Sequence, residues 1–113
     1  MIVNGKELRM HYCIGADIDL EDEMAKAGSP DWGDFVRRKG IRAFIKAAAI
    51  LNKWACKQAD KEAESILETD FYTMDQFYET ELIEAVNRAF LKGQHREIEL
   101  EDAPKNAEGA GEK

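Results

Sequence analysis

Few side chains in this sequence are of a type and spacing that could carry chemistry, and those few do not converge. His11 and His95 are the two histidines. His11 lies in a stretch that reads as a strand, and His95 lies beyond the last apolar helical repeat. Neither has a motif partner, and a histidine alone is more often a hydrogen-bonded surface residue than a base or ligand. Cys13 and Cys56 are far apart and belong to no Cys-x-x-Cys or Cys/His cluster. They read as two buried free thiols, with a disulfide or a metal site as the alternative. Asp17-x-Asp19-x-Glu21 has the opening spacing of a calcium loop, but Asp22 stands where that loop needs Gly and Gly28 where it needs Glu. The acids are therefore read as a solvated cluster at a helix start. Glu81 and Glu84 lie three apart with no metal-binding histidine beside them, so a solvated face is expected rather than a di-metal site. No Gly-rich phosphate loop, GxSxG, HExxH or GxGxxG occurs. The expectation is a protein that is not an enzyme and holds no metal or cofactor.

Charge narrows the partners. The chain carries a net charge of −7 with a pI of about 4.9, which argues against nucleic acid as the main partner. No apolar run approaches the ~18 residues that would suggest a membrane span. The start, MIVNGKELRM, lacks a basic stretch followed by an apolar core, so it does not read as a secretory signal. An intracellular protein with no membrane contact is expected. The charges are also segregated. Arg37, Arg38, Lys39, Arg42, Lys46, Lys53 and Lys57 fall between Phe35 and Ala59 with no acid among them. Between Asp60 and Glu84 stand nine acids against Lys61 alone. Either the two segments lie against each other within one fold, or basic and acidic faces meet between subunits.

The element that must position everything else is the stretch IRAFIKAAAILNKWACKQA, residues 41–59. On a helix, Arg42, Lys46, Lys53 and Lys57 form one narrow stripe. Ile41, Phe44, Ile45, Ala47, Ala48, Ile50, Leu51, Trp54 and Ala55 cover most of the remaining circumference. A surface helix usually shows an apolar arc of about 100° or somewhat more; this one is apolar over roughly twice that. It must be wrapped by its own chain on several sides or shared with another chain. In so short a chain this predicts a homo-oligomer, or a groove for a partner segment. The helix is expected to continue to about residue 67, with Ala63, Ile66 and Leu67 as late apolar positions.

Around it, the sequence predicts a mainly α fold with a small N-terminal β-hairpin. Asn4-Gly5 is a strong signal for a type I′ turn. Leu8, Met10, Tyr12 and Ile14 then alternate with Glu7, Arg9, His11 and Cys13, as in a strand. Gly15 should end that strand. Asp17 should cap a short helix to about Ala27, burying Ile18, Leu20, Met24 and Ala25. Ser29, followed by Pro30, should cap a second helix with Trp32, Phe35 and Val36 inside, ending at Gly40. Thr73 to Gln76 reads as a capping box, with Thr80 as a second cap that would split the last helix. Met74, Phe77, Tyr78, Leu82, Ala85, Val86, Ala89 and Phe90 recur at helical spacing. Gly93 sits where a C′ residue belongs. One helical domain, 1–96, is expected, followed by an acidic disordered tail, 97–113, in which Ile98 and Leu100 alternate with acids.

The order of these signals resembles the tail assembly chaperones of long-tailed bacteriophages and prophages. The NGKELRM start resembles that family's opening strand pair, and TMDQFYETELIEAVNRAFLKG resembles its closing helices. The resemblance implies a non-enzymatic role in tail morphogenesis. It implies binding to the tape-measure protein, recruitment of tail-tube subunits, a place in the cytoplasm of the bacterial host and absence from the mature virion. Many members are made in two forms, the longer by a ribosomal frameshift. On this chain, helix-in-groove recognition would use Phe44, Ile45, Ala48, Leu51 and Ala55, or the opposite edge at Ala47, Ile50 and Trp54. Phe77 and Tyr78 read as core, with a partner-anchoring cluster as the functional alternative. Leu51→Asp and Trp54→Asp are then expected to weaken assembly or partner binding more than they unfold the chain. The competing reading is a small acidic phage or prophage regulatory adaptor or inhibitor that binds a host protein.

Overall fold

Asn4 and Gly5 both have positive φ, 52° and 82°, the backbone a type I′ turn requires. They join β1 (Ile2–Val3) to β2 (Lys6–Glu7) in an antiparallel pair, with Ile2 opposite Glu7 and Val3 opposite Lys6. The fold, seen in a computed structural model, is described for residues 1–58 and 62–102, with side chains of the last helix described as far as Gly93. As expected, it is mainly α with one small N-terminal sheet.

The second strand stops at Glu7 rather than reaching Ile14. A two-residue first strand offers no ladder for a longer partner, so the following backbone bonds to a helix instead. The His11 N–H donates to the Leu51 carbonyl at 3.0 Å, and the Arg9 carbonyl accepts from the Asn52 amide at 3.1 Å. Helix α1 (Ile14–Lys26) therefore begins before Asp17, with Cys13 at its N-cap position. Ala16 and Leu20 face inward, whereas Ile14 and Ile18, at 73% and 52% exposure, face solvent. Gly15 lies inside the helix because the Trp54 ring rests on it; a Cβ there would stand 2.4 Å from the ring.

Helix α2 (Trp32–Lys39) is capped by Asp31, not Ser29. The Asp31 carboxylate accepts from the Asp34 N–H at 2.8 Å. Phe35 is buried and Trp32 and Val36 are half-buried, as the spacing predicts. Gly40, with φ of 62°, turns the chain into α3 (Ile41–Lys57).

Helix α3 ends at Lys57, about ten residues short of the expected end. The cause is Asn52, which is 1% exposed. Its amide donates to the Arg9 and Glu64 carbonyls (3.1 and 2.9 Å), and its carbonyl accepts from the Ile66 N–H at 2.7 Å. One side chain thus fastens both neighbouring irregular segments, 8–13 and 62–67, to the helix. A continued helix would satisfy the Glu64 and Ile66 backbone groups internally but leave the buried Asn52 carbonyl and one of its amide hydrogens without partners. Ile66 is buried by this return, while Leu67 is left 61% exposed.

Helix α4 (Glu68–Tyr72) starts where Asp70 accepts from the Leu67 N–H at 2.8 Å. The same carboxylate accepts from Asn4 at 3.1 Å, which docks the hairpin turn on α4. Both bonds favour the ionised form and hold Asp70 below the usual carboxylate range. Thr73 closes α4 instead of capping a new helix, and its hydroxyl bonds the Asp70 carbonyl. Residues 74–78 are irregular, so α5 (Glu79–Asp102) begins just before Thr80. Its backbone stays helical past Gly93 to Asp102, into the stretch expected as a tail. The first strong helix breaker after Gly93 is Pro104. The remainder of the expected tail, 103–113, lies outside the described residues.

Gly93 is not a C-cap. The Tyr12 ring lies across it, and a Cβ would stand 2.1 Å from Tyr12 Cδ2. Gly93→Ala is therefore expected to destabilise the fold by about 1–3 kcal/mol, although alanine is the better helix former by ~1 kcal/mol. Denaturant unfolding of Gly93→Ala, Tyr12→Ala and the double variant checks this. The double variant should recover most of the Gly93→Ala loss; simple additivity of the two losses would show that the ring contact is not the cause.

The core is α3 with everything else laid on it. Helices α1, α2, α4 and α5 all pack against α3. Ala43, Phe44, Ile45, Ala47, Ala48, Leu51 and Ala55 are buried. An aromatic chain closes one side: Trp32 meets Phe44 and Phe90 edge-on, and Phe90 meets Tyr12, each pair with centroids 5.4 Å apart. The broad apolar circumference is thus wrapped over most of its extent by the chain itself.

Candidate functional site

What α3 leaves uncovered is its basic stripe. Arg42, Lys46, Ala49, Lys53 and Lys57 follow one another at helical spacing along one face of α3, with Ile50 beside them. On one flank stands α1, which contributes Asp19 and Glu23. On the other stands the returning segment from Ser65 to Glu68. Between them lies an open groove of about 360 Å³ with a floor of Ala49, Ile50, Ile66 and Leu67.

The rim is set by ion pairs. Lys46 bridges the groove end, 3.5 Å from Glu23 and 3.4 Å from Glu68. Burial opposes its charge, but the two carboxylates outweigh burial and hold its ammonium above the usual lysine range. Lys53 pairs with Asp19 at 2.6 Å, and the Trp54 indole N–H donates to the same carboxylate at 2.8 Å. These two bonds hold Asp19 below the usual carboxylate range. Lys53 and Lys57 also lie 5.6 and 5.4 Å from the Trp54 ring centroid. The segregated charge segments hardly meet among the described residues. Among the described residues, Lys46 alone of the basic run pairs with an acid between 60 and 84, while Glu62 and Asp70 of that segment pair with Arg9 and Lys6.

The expected partner-binding residues divide sharply. Phe44, Ile45, Ala48 and Leu51 are sealed in the core of the single chain, as is Ala55, and so are not a free edge. On the opposite edge Ala47 is also buried. Ile50 lines the groove, and Trp54 is half-buried, seated on Gly15 and bonded to Asp19. Phe77 is half-buried against Phe71, with centroids 6.3 Å apart, whereas Tyr78 is exposed and bonds Gln76. The sequence reading missed Ala49 and Leu67 as groove residues. Helical spacing does place Ala49 on the basic stripe. Leu67 read as a late helical position, and only the return of the chain beside α3 sets it in the groove.

A second, smaller hollow of about 180 Å³ lies between Tyr12, Asp17, Leu20, Met24, Trp32 and Phe90. Tyr12 donates to Asp17 across it at 3.0 Å. Among the described residues, no three His, Cys, Asp or Glu side chains gather as a metal site. Cys13 and Cys56 are unpaired, half-buried thiols. No helix among the described residues is long and apolar enough to cross a membrane.

The arrangement can hold an apolar segment by contact and orient it by charge. Comparison with protein-family models, with curated proteins and with solved structures finds no match to this chain.

Proposed function

We propose that this chain is a tail assembly chaperone of a long-tailed bacteriophage or prophage. It binds the tape-measure protein and helps recruit tail-tube subunits, without enzymatic activity. The order of sequence signals from the NGKELRM hairpin to the TMDQFYETELIEAVNRAFLKG stretch supports the reading. The structural observation that carries it is the open groove on α3 with its apolar floor of Ala49, Ile50, Ile66 and Leu67. A factor that keeps a long helical protein soluble must present such surface rather than bury it.

Co-expression with a fragment of the tape-measure protein encoded in the same genome tests this. The fragment is expected to become soluble and to co-elute with the chain in size-exclusion chromatography. A fragment that stays insoluble, or elutes apart, overturns the reading and favours an adaptor that binds a host protein.

A further inference from the structure

Four separate parts of the chain meet at the smaller hollow, which shares no lining residue with the groove on α3. Tyr12 comes from the irregular segment before α1, Trp32 opens α2, and Phe90 comes from α5. Asp17, Leu20 and Met24 lie at i, i+3 and i+7 on α1, hence on one face of it. The planes of Tyr12 and Trp32 stand at 77° and 82° to that of Phe90, so the rings border the hollow in nearly perpendicular orientations. None of the lining residues is basic. Asp19 and Glu23, on the same helix, are paired with lysines. Asp17 is half-buried and makes no ion pair among the described residues; one of its oxygens accepts from the Tyr12 hydroxyl. A carboxylate walled by aromatic rings calls for a counter-charge, and the rings themselves attract cations.

We propose that this hollow binds a quaternary ammonium group, its methyls against Tyr12, Trp32 and Phe90 and its charge balanced by Asp17. The site is independent of the partner-binding role above. Size, charge and hydrogen-bonding capacity point the same way. A volume of about 180 Å³ is below the ~300–1,000 Å³ of sites for drug-sized ligands, which suits a compact headgroup. The lone carboxylate selects positive charge over a neutral apolar group. A primary ammonium brings three N–H donors and a guanidinium five. The acceptors lining the hollow are one carboxylate, already engaged with Tyr12, and that tyrosine oxygen. Such a cation would give up hydration that the hollow does not replace. A quaternary ammonium has no N–H and loses no hydrogen bond on entry. Leu20 and Met24 complete the apolar wall around its methyls.

Heteronuclear NMR of the full chain, read at the two indole N–H resonances, tests the proposal. Choline is expected to shift the Trp32 resonance saturably, with a dissociation constant on the order of 1 mM. Its neutral isostere, in which a tert-butyl group replaces the trimethylammonium, should bind about tenfold more weakly. Trp54 should not respond, because Lys53 and Lys57 already lie 5.6 and 5.4 Å from its ring centroid. Asp17→Asn can still accept from Tyr12, so it should keep the parent's circular-dichroism melt and lower choline affinity about tenfold. Two peptides identify the source of the group. Tighter binding of a trimethyl-lysine peptide than of choline places it on a partner protein, and the reverse order makes it a free small molecule. Equal affinity for choline and its neutral isostere overturns the proposal, since the hollow then reads shape alone. So does an unmodified lysine peptide that binds as tightly as the trimethylated one. A shift at Trp54 without one at Trp32, or at neither, overturns it as well. Should Asp17→Asn fail to fold, the choline and isostere titrations of the parent chain still decide.

Discussion

Leu51→Asp is expected to leave the chain largely unfolded at 25 °C. Leu51 is completely buried at the centre of α3, with its carbonyl accepting from His11. An unpaired carboxylate there loses the transfer energy of the leucine side chain and adds the desolvation cost of a charge. A loss of about 5 kcal/mol or more matches the entire stability of many domains of this size. This reverses the expectation from the sequence that Leu51→Asp would act on assembly rather than on folding. Ile50→Asp is the contrast that isolates the groove. Ile50 is partly exposed and lines the groove floor, so its stability loss should stay near ~1 kcal/mol while partner binding collapses. Circular dichroism and urea unfolding of the two variants settle the comparison. A folded Leu51→Asp protein would show that this side chain is not part of the core.

Asn52→Leu is expected to cost about 3–5 kcal/mol, nearly as much as a large core deletion. The substitution keeps the volume but leaves the Ile66 N–H and the Arg9 and Glu64 carbonyls without their side-chain partner. Each such buried group costs about 1–3 kcal/mol when left unmade. The loss should appear in the urea midpoint and, more locally, in hydrogen exchange at Ile66 and His11. Asn52→Asp is the informative companion. A carboxylate can still accept from Ile66, but it cannot donate to the two carbonyls, so it should rescue little. If Asn52→Leu melted like the parent, the two flanking segments would be held by apolar packing alone.

Residues 41–57 show most directly how much was legible. The spacing of Ile41 through Ala55 identified a helix with too much apolar surface for an ordinary amphipathic role, and Gly40 marked its start. That surface is what the remaining helices cover. The hairpin turn was equally legible, because Asn4 and Gly5 are suited to positive φ as few residue pairs are. The boundaries that failed did so where a distant side chain overruled local preference. Gly15 and Gly93 looked like terminators. They are instead the small residues that let Trp54 and Tyr12 approach a helix backbone, and no local rule distinguishes these two uses of glycine. Asp31 displaced Ser29 as the cap, and Asp70 claimed the start of α4, each by one hydrogen bond to a nearby N–H. Residues 58–67 read as helix because their composition permits one; Asn52 instead bonds the Glu64 carbonyl and the Ile66 N–H and holds them beside α3.

The residue pattern alone determined that this protein is mainly helical, opens with a tight hairpin and is built around one apolar helix. Those properties follow from side-chain periodicity and turn stereochemistry, which act within a few residues. Which apolar residues would be core and which would line a groove was decided only in three dimensions. Phe44, Ile45, Ala48 and Leu51 were enclosed by helices far from them in sequence, while Ala49, Ile50 and Leu67 were left at the surface by the direction the chain takes after Lys57. Burial depends on where the rest of the chain runs, and that path is set by long-range contacts such as those of Asn52 and Trp54.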